Sequence, residues 1–285
     1  MDEIKIVVAT HKPYWMPADP VYYPLHVGRE GKPDLGFPGD NTGDNISAKN
    51  ANFCELTGLY WAWKNLDAEF IGLVHYRRHF SGGLGPDKKA RVISGEALRR
   101  ELASCDVLLP KQRNYWIETN YSQYAHAHHA VDLDTTRRIL AERYPAYLAA
   151  FDAAMKRTHG HRFNMFVMSR EKLDAYCTWL FDVLFELERR LDISTYSPND
   201  ARVFGFVSER LLDVWLETNK IVYKELPYVF LEKQNWLVKG GNFLKRKLRG
   251  KQKKAEFLRW KRSQFMLRHT SKSRSICPIA TGSAR

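Results

Sequence analysis

The sequence predicts an α/β fold in which a mainly parallel central sheet is flanked by helices. Short apolar runs rich in β-branched residues occur at Ile4–Thr10, at 70–74 and at 105–110. Their length and composition are those of buried strands. Apolar residues recur at helical spacing over residues 53–65 and 170–191. Strands that alternate with helices in this way are typical of a parallel sheet covered by helices.

Further elements follow from the same patterns. The strand over residues 161–168 is notable because Asn164, a polar amide, lies in its middle and must find hydrogen bonds, either to a ligand or to neighbouring backbone. In chain order the elements are a helix over 95–103, a helical hairpin over 134–156 broken at Pro145, the strand over 161–168, a turn and short strand over 197–206, a helix over 209–218 capped by Ser208, and a strand pair over 221–232 broken at Pro227.

The composition indicates a globular protein. The chain has 285 residues, of which 44% are hydrophobic, enough for a substantial core. No apolar run approaches the roughly 18 residues of a membrane helix, and the N-terminus MDEIKIVVATHK reads as a strand rather than a signal peptide. The cysteines form no CxxC pair, which argues against zinc and against a disulfide framework and predicts a cytoplasmic protein. They are Cys54, Cys105, Cys177 and Cys277.

Positive charge is concentrated at the C-terminal end. The formal net charge is +13, and residues 239–285 hold 15 Lys and Arg against one acid, Glu256, so the preceding part is close to neutral. We therefore predict a domain over residues 1–238 and a basic tail over 239–285. The tail could bind a membrane surface, bind nucleic acid or stay solvated. We favour the membrane surface because Trp260 and Phe265 accompany its lysines.

Two predicted strands end in polar residues that suit an anionic ligand. In open α/β sheets, ligands bind in the crevice outside the carboxyl ends of the strands. The fork of donors on a guanidinium group matches phosphate oxygens, so paired arginines at such a position suggest a phosphate site. Alternatively, the arginines pair with carboxylates at a solvated strand end, and Pro13 closes an ordinary turn. The residues are Thr10, His11 and Lys12 after the first strand, and His75, Tyr76, Arg77 and Arg78 after the second.

A turn-rich loop, GDNTGDNIS, covers residues 39–47. Asp40, Asn41, Asp44 and Asn45 offer carboxylates and amides that can bind sugar hydroxyls or a metal ion. An EF-hand is excluded, because no Asp-x-Asp-x-Asp-Gly run leads to a glutamate at the twelfth position. Since Asp and Asn are also common in turns, a purely structural loop is the alternative.

Aromatic and histidine residues are dense over residues 111–133. We expect Tyr121 and Tyr124 to form a platform for an acceptor sugar, because aromatic faces stack on sugar rings. His126 and His128 have the spacing of a metal-binding pair, but no cysteine or acidic residue follows at a convincing distance. We therefore predict no metal site here.

Five stretches resemble, in order, a family long described as a domain of unknown function that recurs in bacterial capsule, exopolysaccharide and O-antigen gene clusters. They are IKIVVATHKPYWMP, GDNTGDNISAKNANFCELTGLYWAWKN, FIGLVHYRRHF, FNMFVM and RVFGFVSERLLDVWL. The resemblance covers about residues 4–236. It implies a GT-A-like nucleotide-diphospho-sugar transferase fold, and some members are described as galactofuranosyltransferases. It also implies a glycosyltransferase that moves a sugar from a nucleotide-sugar donor, such as UDP-galactofuranose, to a lipid-linked glycan at the cytoplasmic face of the inner membrane.

The resemblance also implies roles for particular residues. The three residues after the first strand would face the nucleotide, and the four loop residues would line the donor side. The stretch from His75 to Arg78 falls where GT-A enzymes carry an Asp-x-Asp that holds Mg²⁺ or Mn²⁺. This chain has Asp-x-Asp only at Asp132 to Asp134, in a helical setting. We therefore predict no metal ligands, leave a requirement for Mg²⁺ or Mn²⁺ open, and expect arginines to stabilise the departing diphosphate. Glu209 is the first candidate for the general base and Asp200 the second, although either could instead be a cap or an ion-pair partner.

Two other functions compete with sugar transfer. One is a non-catalytic module that binds a sugar or nucleotide within a polysaccharide assembly complex. The other is a basic nucleic-acid-binding protein, which we disfavour because the near-neutral body lacks RNP, helix-turn-helix and zinc signatures. We therefore expect no nucleic-acid partner. A retaining transferase would not need the general base, and the sequence leaves the stereochemistry open.

Overall fold

Ten strands are present in the computed structural model, which describes residues 3–232. Eight of them form one mixed sheet, and β6 and β7 pair separately. The strands are β1 (Ile4–Thr10), β2 (Tyr22–His26), β3 (Phe70–His75), β4 (Arg78–Phe80), β5 (Val107–Pro110), β6 (Arg113–Asn114), β7 (His159–Gly160), β8 (Phe166–Ser169), β9 (Lys224–Leu226) and β10 (Tyr228–Phe230). The predicted boundary at 238 and the basic tail lie outside the described residues.

Eight α-helices connect the strands within this part of the chain. They are α1 (Asn50–Phe53), α2 (Leu56–Asn65), α3 (Gly95–Leu102), α4 (Asn120–Ala127), α5 (Ala130–Arg143), α6 (Leu148–Lys156), α7 (Arg170–Arg190) and α8 (Val203–Thr218). A 3₁₀ turn at Asp200–Arg202 leads into α8. None of the helices within residues 3–232 combines the length and the apolar character that a bilayer span requires.

The body of the sheet is mainly parallel, as predicted. β1 pairs in parallel with β2 on one side and with β3 on the other. β8 runs antiparallel to both β3 and β5, and β9 is parallel to β5. The order is therefore β2-β1-β3-β8-β5-β9, with β8 as the one reversed strand. Beyond the end of β3, β4 turns back with Arg78 opposite His75 and pairs with β10.

Hydrophobic cores cover both faces of the sheet, which explains why β1 is apolar almost throughout. Val7 and Ala9 of β1 belong to one core, which includes α2, α5, α7 and α8. Ile6 and Val8 point to the other core, which includes α3. Alternate residues of a strand face opposite sides of a sheet, so a strand buried on both faces needs apolar residues at successive positions.

Three predicted elements were wrong in detail. The helix over 53–65 is split at Cys54, whose φ of 54° breaks the helical path between α1 and α2. The strand over 161–168 begins only at Phe166, because Phe163 and Asn164 have φ values of 80° and 51°. These left-handed residues turn the chain where the hydrophobic pattern alone indicates an extended strand.

The third error concerns residues 197–206, which contain no strand. The 3₁₀ turn and the start of α8 occupy this stretch, because Val203, Val207, Leu211 and Val214 are buried at helical spacing. Ser208 therefore lies inside α8 and does not cap it. The predicted helix 209–218 is the C-terminal two thirds of a longer helix.

Candidate functional site

A cavity of about 450 Å³ opens where β1 and β3 end side by side. The two strands are in register, with Ala9 opposite His75, so the residues that follow them are brought together as predicted. The volume lies within the range of small-molecule sites. The cavity is lined by His11, Val27, Asn50, Ala51, Cys54, Glu55, Tyr76, Arg77 and Arg202.

Tyr76 forms the buried base of this region. Its ring meets His11 at a centroid distance of 5.4 Å and Tyr14 at 4.8 Å, both edge to face. The Nζ atom of Lys12 lies 5.0 Å from the centre of the same ring. Thr10 is fully buried, and its hydroxyl donates to the carbonyl of Lys12 at 2.6 Å. Thr10 thus shapes the turn that presents His11 and Lys12.

Arg77, Lys12 and Arg202 supply positive charge around the cavity. Arg77 and Lys12 both approach Glu232, at 3.6 Å and 3.7 Å, and all three side chains are partly exposed. Such exposed ion pairs contribute little to stability, so a polyanionic ligand can compete for these cations at small cost. Arg202 reaches the cavity from the 3₁₀ turn before α8, and its Nε donates to Sγ of Cys54 at 3.1 Å.

Arg78 lies deeper, with its guanidinium carbon 4.4 Å from the centre of the Phe163 ring. Its Nε is buried and has no hydrogen-bond partner among the described residues. Burial lowers the pKa of Arg78, whereas the nearby carboxylates of Glu55 and Glu209 raise it. The guanidinium is therefore a desolvated cation whose field acts strongly on its surroundings.

The two histidines of the site are neutral at physiological pH. Burial, followed by the charges of Arg78 and Arg77, lowers the pKa of His75 to about 2. Burial and the charge of Lys12 also lower the pKa of His11. Both imidazoles can therefore form hydrogen bonds to a ligand without adding to the cationic charge of the cavity.

Glu55 is a residue of the candidate site that the sequence analysis did not single out. It follows the break at Cys54 and immediately precedes α2, and its half-buried side chain lines the cavity. Its Oε1 accepts a hydrogen bond from Nδ2 of Asn164 at 2.9 Å. Burial raises the pKa of Glu55, and the charge of Glu209 adds to this rise. Hydrogen bonds from Asn164 and from the backbone amide of Glu55 itself oppose it. The sequence did carry a signal for Glu55, because it is an acidic residue within the otherwise apolar helical pattern over residues 53–65.

Glu209 lies beside Glu55. The sequence predicted Glu209 at the start of a helix, but the residue lies within α8. Its Oε1 accepts from the backbone amide of Phe163 at 3.1 Å, and its Oε2 lies 3.7 Å from Nη1 of Arg210. Phe163 and Asn164 are consecutive, so one left-handed turn contacts both carboxylates. Glu209 therefore belongs to the site, behind the residues that line the cavity.

Asp200 does not line the cavity. Its carboxylate accepts hydrogen bonds from Nδ1 of His128 at 2.9 Å and from Oγ of Ser197 at 2.8 Å. Burial alone would raise the pKa of Asp200, but these two hydrogen bonds outweigh it and lower the pKa. The contacts hold the turn that carries Arg202, so a supporting role fits Asp200 better than the predicted role of general base.

Asp40 corrects the predicted donor loop. Its side chain is fully buried, and each of its two carboxylate oxygens accepts two hydrogen bonds from within the protein. A carboxylate with four protein donors has no capacity left for a sugar hydroxyl. The donors are the amides of Gly28 and Arg29 and the hydroxyls of Ser47 and Thr57. Beside it, Nδ2 of Asn41 reaches Oε2 of Glu30 at 3.4 Å.

Asp44 and Asn45 lie away from the cavity. The hydroxyl of Tyr60 donates to Asp44 at 3.2 Å, and the amide of Asp44 donates to Oδ1 of Asn65, the last residue of α2. Asn65 lies roughly 15 Å along the helix from Glu55, at a rise of about 1.5 Å per residue. Asn45 bonds to the carbonyl of Gly43 within its own turn. The structure therefore does not place these two residues on the donor side.

The predicted acceptor residues separate into three situations. Tyr124 is fully buried and its hydroxyl donates to Asp132 at 2.7 Å, so it is a core residue and not a sugar platform. Tyr121 lines a different cavity of about 430 Å³ and donates to Asp134 at 2.9 Å. Asn164 bonds to a carboxylate of the site, as described above, and thus acts from below the cavity surface.

The side chains within residues 3–232 do not fit a GT-A metal site. No group of three or more His, Cys, Asp or Glu is placed there to hold a metal ion. The Asp-x-Asp motif begins at Asp132, whose carboxylate is buried and accepts hydrogen bonds from the hydroxyls of Tyr124 and Tyr196. His126 lies against Glu118, with 2.6 Å between Nδ1 and Oε1.

Comparison with known proteins agrees with the sequence resemblance. No curated protein matches the chain. Among solved structures, the apo structure of the WbbM bifunctional glycosyltransferase is similar, with a TM-score of 0.76 and 31% identity over 81% of this chain and 46% of that one. The predicted α/β fold, similar to that of a glycosyltransferase, is thus confirmed, and this chain spans about half the length of that protein. The model of the family described as "Domain of unknown function (DUF4422)" matches residues 5–220, and the chain belongs to this family.

Proposed function

We propose that this chain is a glycosyltransferase that moves a sugar from a nucleoside-diphosphate donor to a glycan acceptor. The observation that carries the proposal is the cavity at the ends of β1 and β3, where Arg77 and Arg202 lie beside the carboxylate of Glu55. Sugar transfer needs both kinds of group, because positive charge must stabilise the diphosphate and a base must activate the acceptor. The 31% identity to a bifunctional glycosyltransferase supports the same conclusion.

The arginines act on the leaving group. As the bond between sugar and diphosphate breaks, negative charge grows on the phosphate oxygens. Arg77 faces the cavity and can donate to these oxygens directly, while Arg78 contributes its field from a buried position. Fixed, desolvated donors aimed at developing charge stabilise a transition state more than mobile water does.

The finer assignment concerns the donor and the acceptor. We propose a UDP-sugar, with UDP-galactofuranose as the leading candidate, and a lipid-linked glycan of a bacterial surface polysaccharide. The support is the resemblance of five sequence stretches to a family found in such gene clusters. The basic residues at 239–285 would hold the chain at the inner-membrane surface, and salt-sensitive binding to vesicles of anionic but not neutral lipid is the expected result.

The test is calorimetric titration of the chain with UDP, GDP, CMP and their sugars, with and without Mn²⁺. We expect one nucleotide class to bind, and Arg77→Ala to weaken its binding about 10- to 100-fold, as for loss of a hydrogen bond to a charged group. Arg99→Ala is the matched control, because Arg99 is exposed on α3 at the other face of the sheet.

Three outcomes separate the competing functions. Binding followed by consumption of the donor in the presence of a glycan acceptor supports the transferase. Binding without consumption supports the non-catalytic module. If no nucleotide binds in any condition, the proposal of a donor site at the ends of β1 and β3 is wrong.

A further inference from the structure

We infer that Glu55 is the catalytic base that takes the proton from the acceptor hydroxyl, and that Asn164 is the residue that positions it. The inference rests on the proposed function, because it names the group that performs one step of sugar transfer. It also departs from the sequence-based choice of Glu209, for reasons that lie in the geometry of the site.

Glu55 is the carboxylate with access to the cavity. It lines the same wall as Arg77 and Arg202, whereas Glu209 and Asp200 are not among the lining residues. The break at Cys54 places it there, because the left-handed φ of 54° ends α1 and starts α2 in a new direction. An acceptor that approaches the donor phosphates in this cavity therefore meets the carboxylate of Glu55. Glu232, which is not among the lining residues, is paired with Lys12 and Arg77.

The protein holds Glu55 in one orientation through Asn164. Nδ2 of Asn164 donates to Oε1 of Glu55 at 2.9 Å and to the carbonyl of Gly205 at 3.1 Å. A carbonyl can only accept, so the contact with Gly205 fixes which end of the amide faces Glu55. On the other side, Oδ1 of Asn164 accepts from the hydroxyl of Ser208 at 2.8 Å.

The backbone of Asn164 supports this assignment. The residue is only 3% exposed and has a φ of 51°, a conformation that Asn tolerates better than most side chains. A buried amide in this conformation, with all its polar atoms bonded, presents a rigid donor to one oxygen of Glu55. The carboxylate of Glu55 also accepts a hydrogen bond from its own backbone amide. Because a carboxylate offers about four lone-pair sites, it can still accept the proton of a bound acceptor.

Glu209 has a different task. Its two oxygens meet the amide of Phe163 and the guanidinium of Arg210. Glu209 also lies close enough to Arg78 to raise the pKa of that guanidinium. We assign it to the balance of buried charge around Arg78, which makes it a structural and electrostatic residue and not the base.

The environment of Glu55 makes its carboxylate a stronger base than an exposed one. Burial raises the pKa of the carboxyl, and a carboxylate with a raised pKa takes up a proton more readily. The hydrogen bond from Asn164 limits this rise by stabilising the carboxylate.

The step is a single displacement. The oxygen of the acceptor hydroxyl forms a bond to the anomeric carbon, and the bond from that carbon to the diphosphate oxygen breaks. The electron pair of the broken bond leaves with the nucleoside diphosphate, whose charge Arg77 stabilises. The proton of the acceptor hydroxyl moves to Glu55 and then to water. This geometry inverts the anomeric configuration.

The experiment compares steady-state kinetics of full-length variants with UDP-galactofuranose as donor and octyl β-galactopyranoside as acceptor, with UDP release as the readout. We expect Glu55→Gln to lower kcat about 10²- to 10⁴-fold, the usual contribution of a general base. The dissociation constant for UDP should stay within about threefold, because the arginines remain. Glu96→Gln, an exposed acid on α3, is the control and should leave kcat unchanged.

Asn164→Gly tests the positioning role without straining the backbone, since glycine adopts a positive φ freely. We expect a lower kcat and a shift of the acidic limb of the kcat/KM profile to higher pH, because the carboxylate loses the hydrogen bond that stabilises it. A purely structural loss would lower the amount of active enzyme and leave the position of the limb unchanged.

Several results would overturn the inference. If Glu55→Gln keeps kcat within about threefold of wild type while Arg77→Ala weakens UDP binding about 10- to 100-fold, Glu55 is not the base and the proposed function stands. If Glu55→Gln does not fold, the kinetics of Glu55→Asp and the pH profile of the wild-type enzyme replace it as the test. In that case, an acidic limb of the kcat/KM profile that stays at the same pH in Asn164→Gly contradicts the inference. A product with retained anomeric configuration also excludes this step. A wild-type chain that consumes no donor removes the proposed function and the inference together.

Discussion

At the scale of single residues, the carboxylate of Asp40 illustrates how the same chemistry serves folding or ligand binding according to its surroundings. Asp40 joins the end of β2, the turn at Ser47 and the start of α2 through four hydrogen bonds. Glu55, in contrast, has one oxygen held by Asn164 and lines a cavity. Burial and the number of donors, and not the type of residue, separate the two roles.

We predict that Asp40→Asn lowers the free energy of unfolding by about 1–3 kcal/mol, the cost of leaving a buried polar group unsatisfied. The Asn amide carries two hydrogens, which would face two of the four existing donors. Urea denaturation followed by circular dichroism measures the change.

The matched control is Asp44→Asn in the same loop. Asp44 is exposed, so its substitution should change the free energy of unfolding by no more than about 0.5 kcal/mol. Equal effects at the two positions would contradict the structural role assigned to Asp40.

At the scale of elements, the site depends on interruptions of regular structure. The break between α1 and α2 presents Glu55, the left-handed turn before β8 contacts Glu55 and Glu209, and the 3₁₀ turn before α8 carries Arg202. The strands β1 and β3 are regular and supply the frame. Function is thus placed where the chain leaves the sheet, on supports that the sheet holds in register.

The strand β3 also depends on Gly72 at its centre. A Cβ atom there would lie 2.6 Å from Cδ1 of Ile6 and 2.9 Å from the backbone oxygen of Phe166. The oxygen belongs to a paired strand and cannot move away easily. We therefore predict that Gly72→Ala destabilises the protein by about 1–3 kcal/mol, as measured for overpacked cores.

Thermal and urea unfolding would measure the effect of Gly72→Ala. Gly83→Ala is the control, because a Cβ at Gly83 would meet no atom within 4 Å. Wild-type stability of Gly72→Ala would show that β1 and β8 can separate enough to admit a methyl group, and would contradict the tight packing described for this sheet.

At the scale of the whole molecule, the sheet buries neutral imidazoles near the ends of β3 and β4. Burial lowers the pKa of His79 to about 4, against a weaker opposing effect of its hydrogen bond to the carbonyl of Tyr76. In the unfolded chain a histidine titrates near 6.5. Between these values the unfolded state binds a proton that the folded state does not, so stability falls as the pH is lowered from 6.5 to 4.

We predict that this histidine contributes a slope of about 1.4 kcal/mol per pH unit in that window. The difference in free energy of unfolding between wild type and His79→Gln should therefore change with pH below 6.5 and stay constant above it. Urea titrations at pH 7.5, 6.5, 5.5 and 4.5 measure it. A difference that does not vary with pH would show that His79 has the same pKa in the folded protein as in the unfolded chain, and would contradict the prediction.

The sequence by itself determined the frame of the molecule. Strand β1 and the start of β3 were predicted from local hydrophobic runs, and the parallel sheet followed from their alternation with helices. The cluster of His11, Tyr76 and Arg77 was also predictable, because the carboxyl ends of neighbouring parallel strands meet at one edge of the sheet. Each of these inferences uses information that lies within a few consecutive residues.

Only the tertiary structure decided which polar residues face the cavity. Glu55 and Asn164 are 109 positions apart in the chain, and their contact depends on positive φ angles at Cys54 and Asn164 that hydrophobic periodicity does not reveal. Conversely, Asp40 and Tyr124 have side chains suited to sugar binding but are buried and bonded within the protein. Hydrophobic periodicity predicts which faces of a short segment are buried. Whether a polar side chain is free to bind a ligand depends on hydrogen bonds to segments that are distant in the sequence, and periodicity does not reveal these.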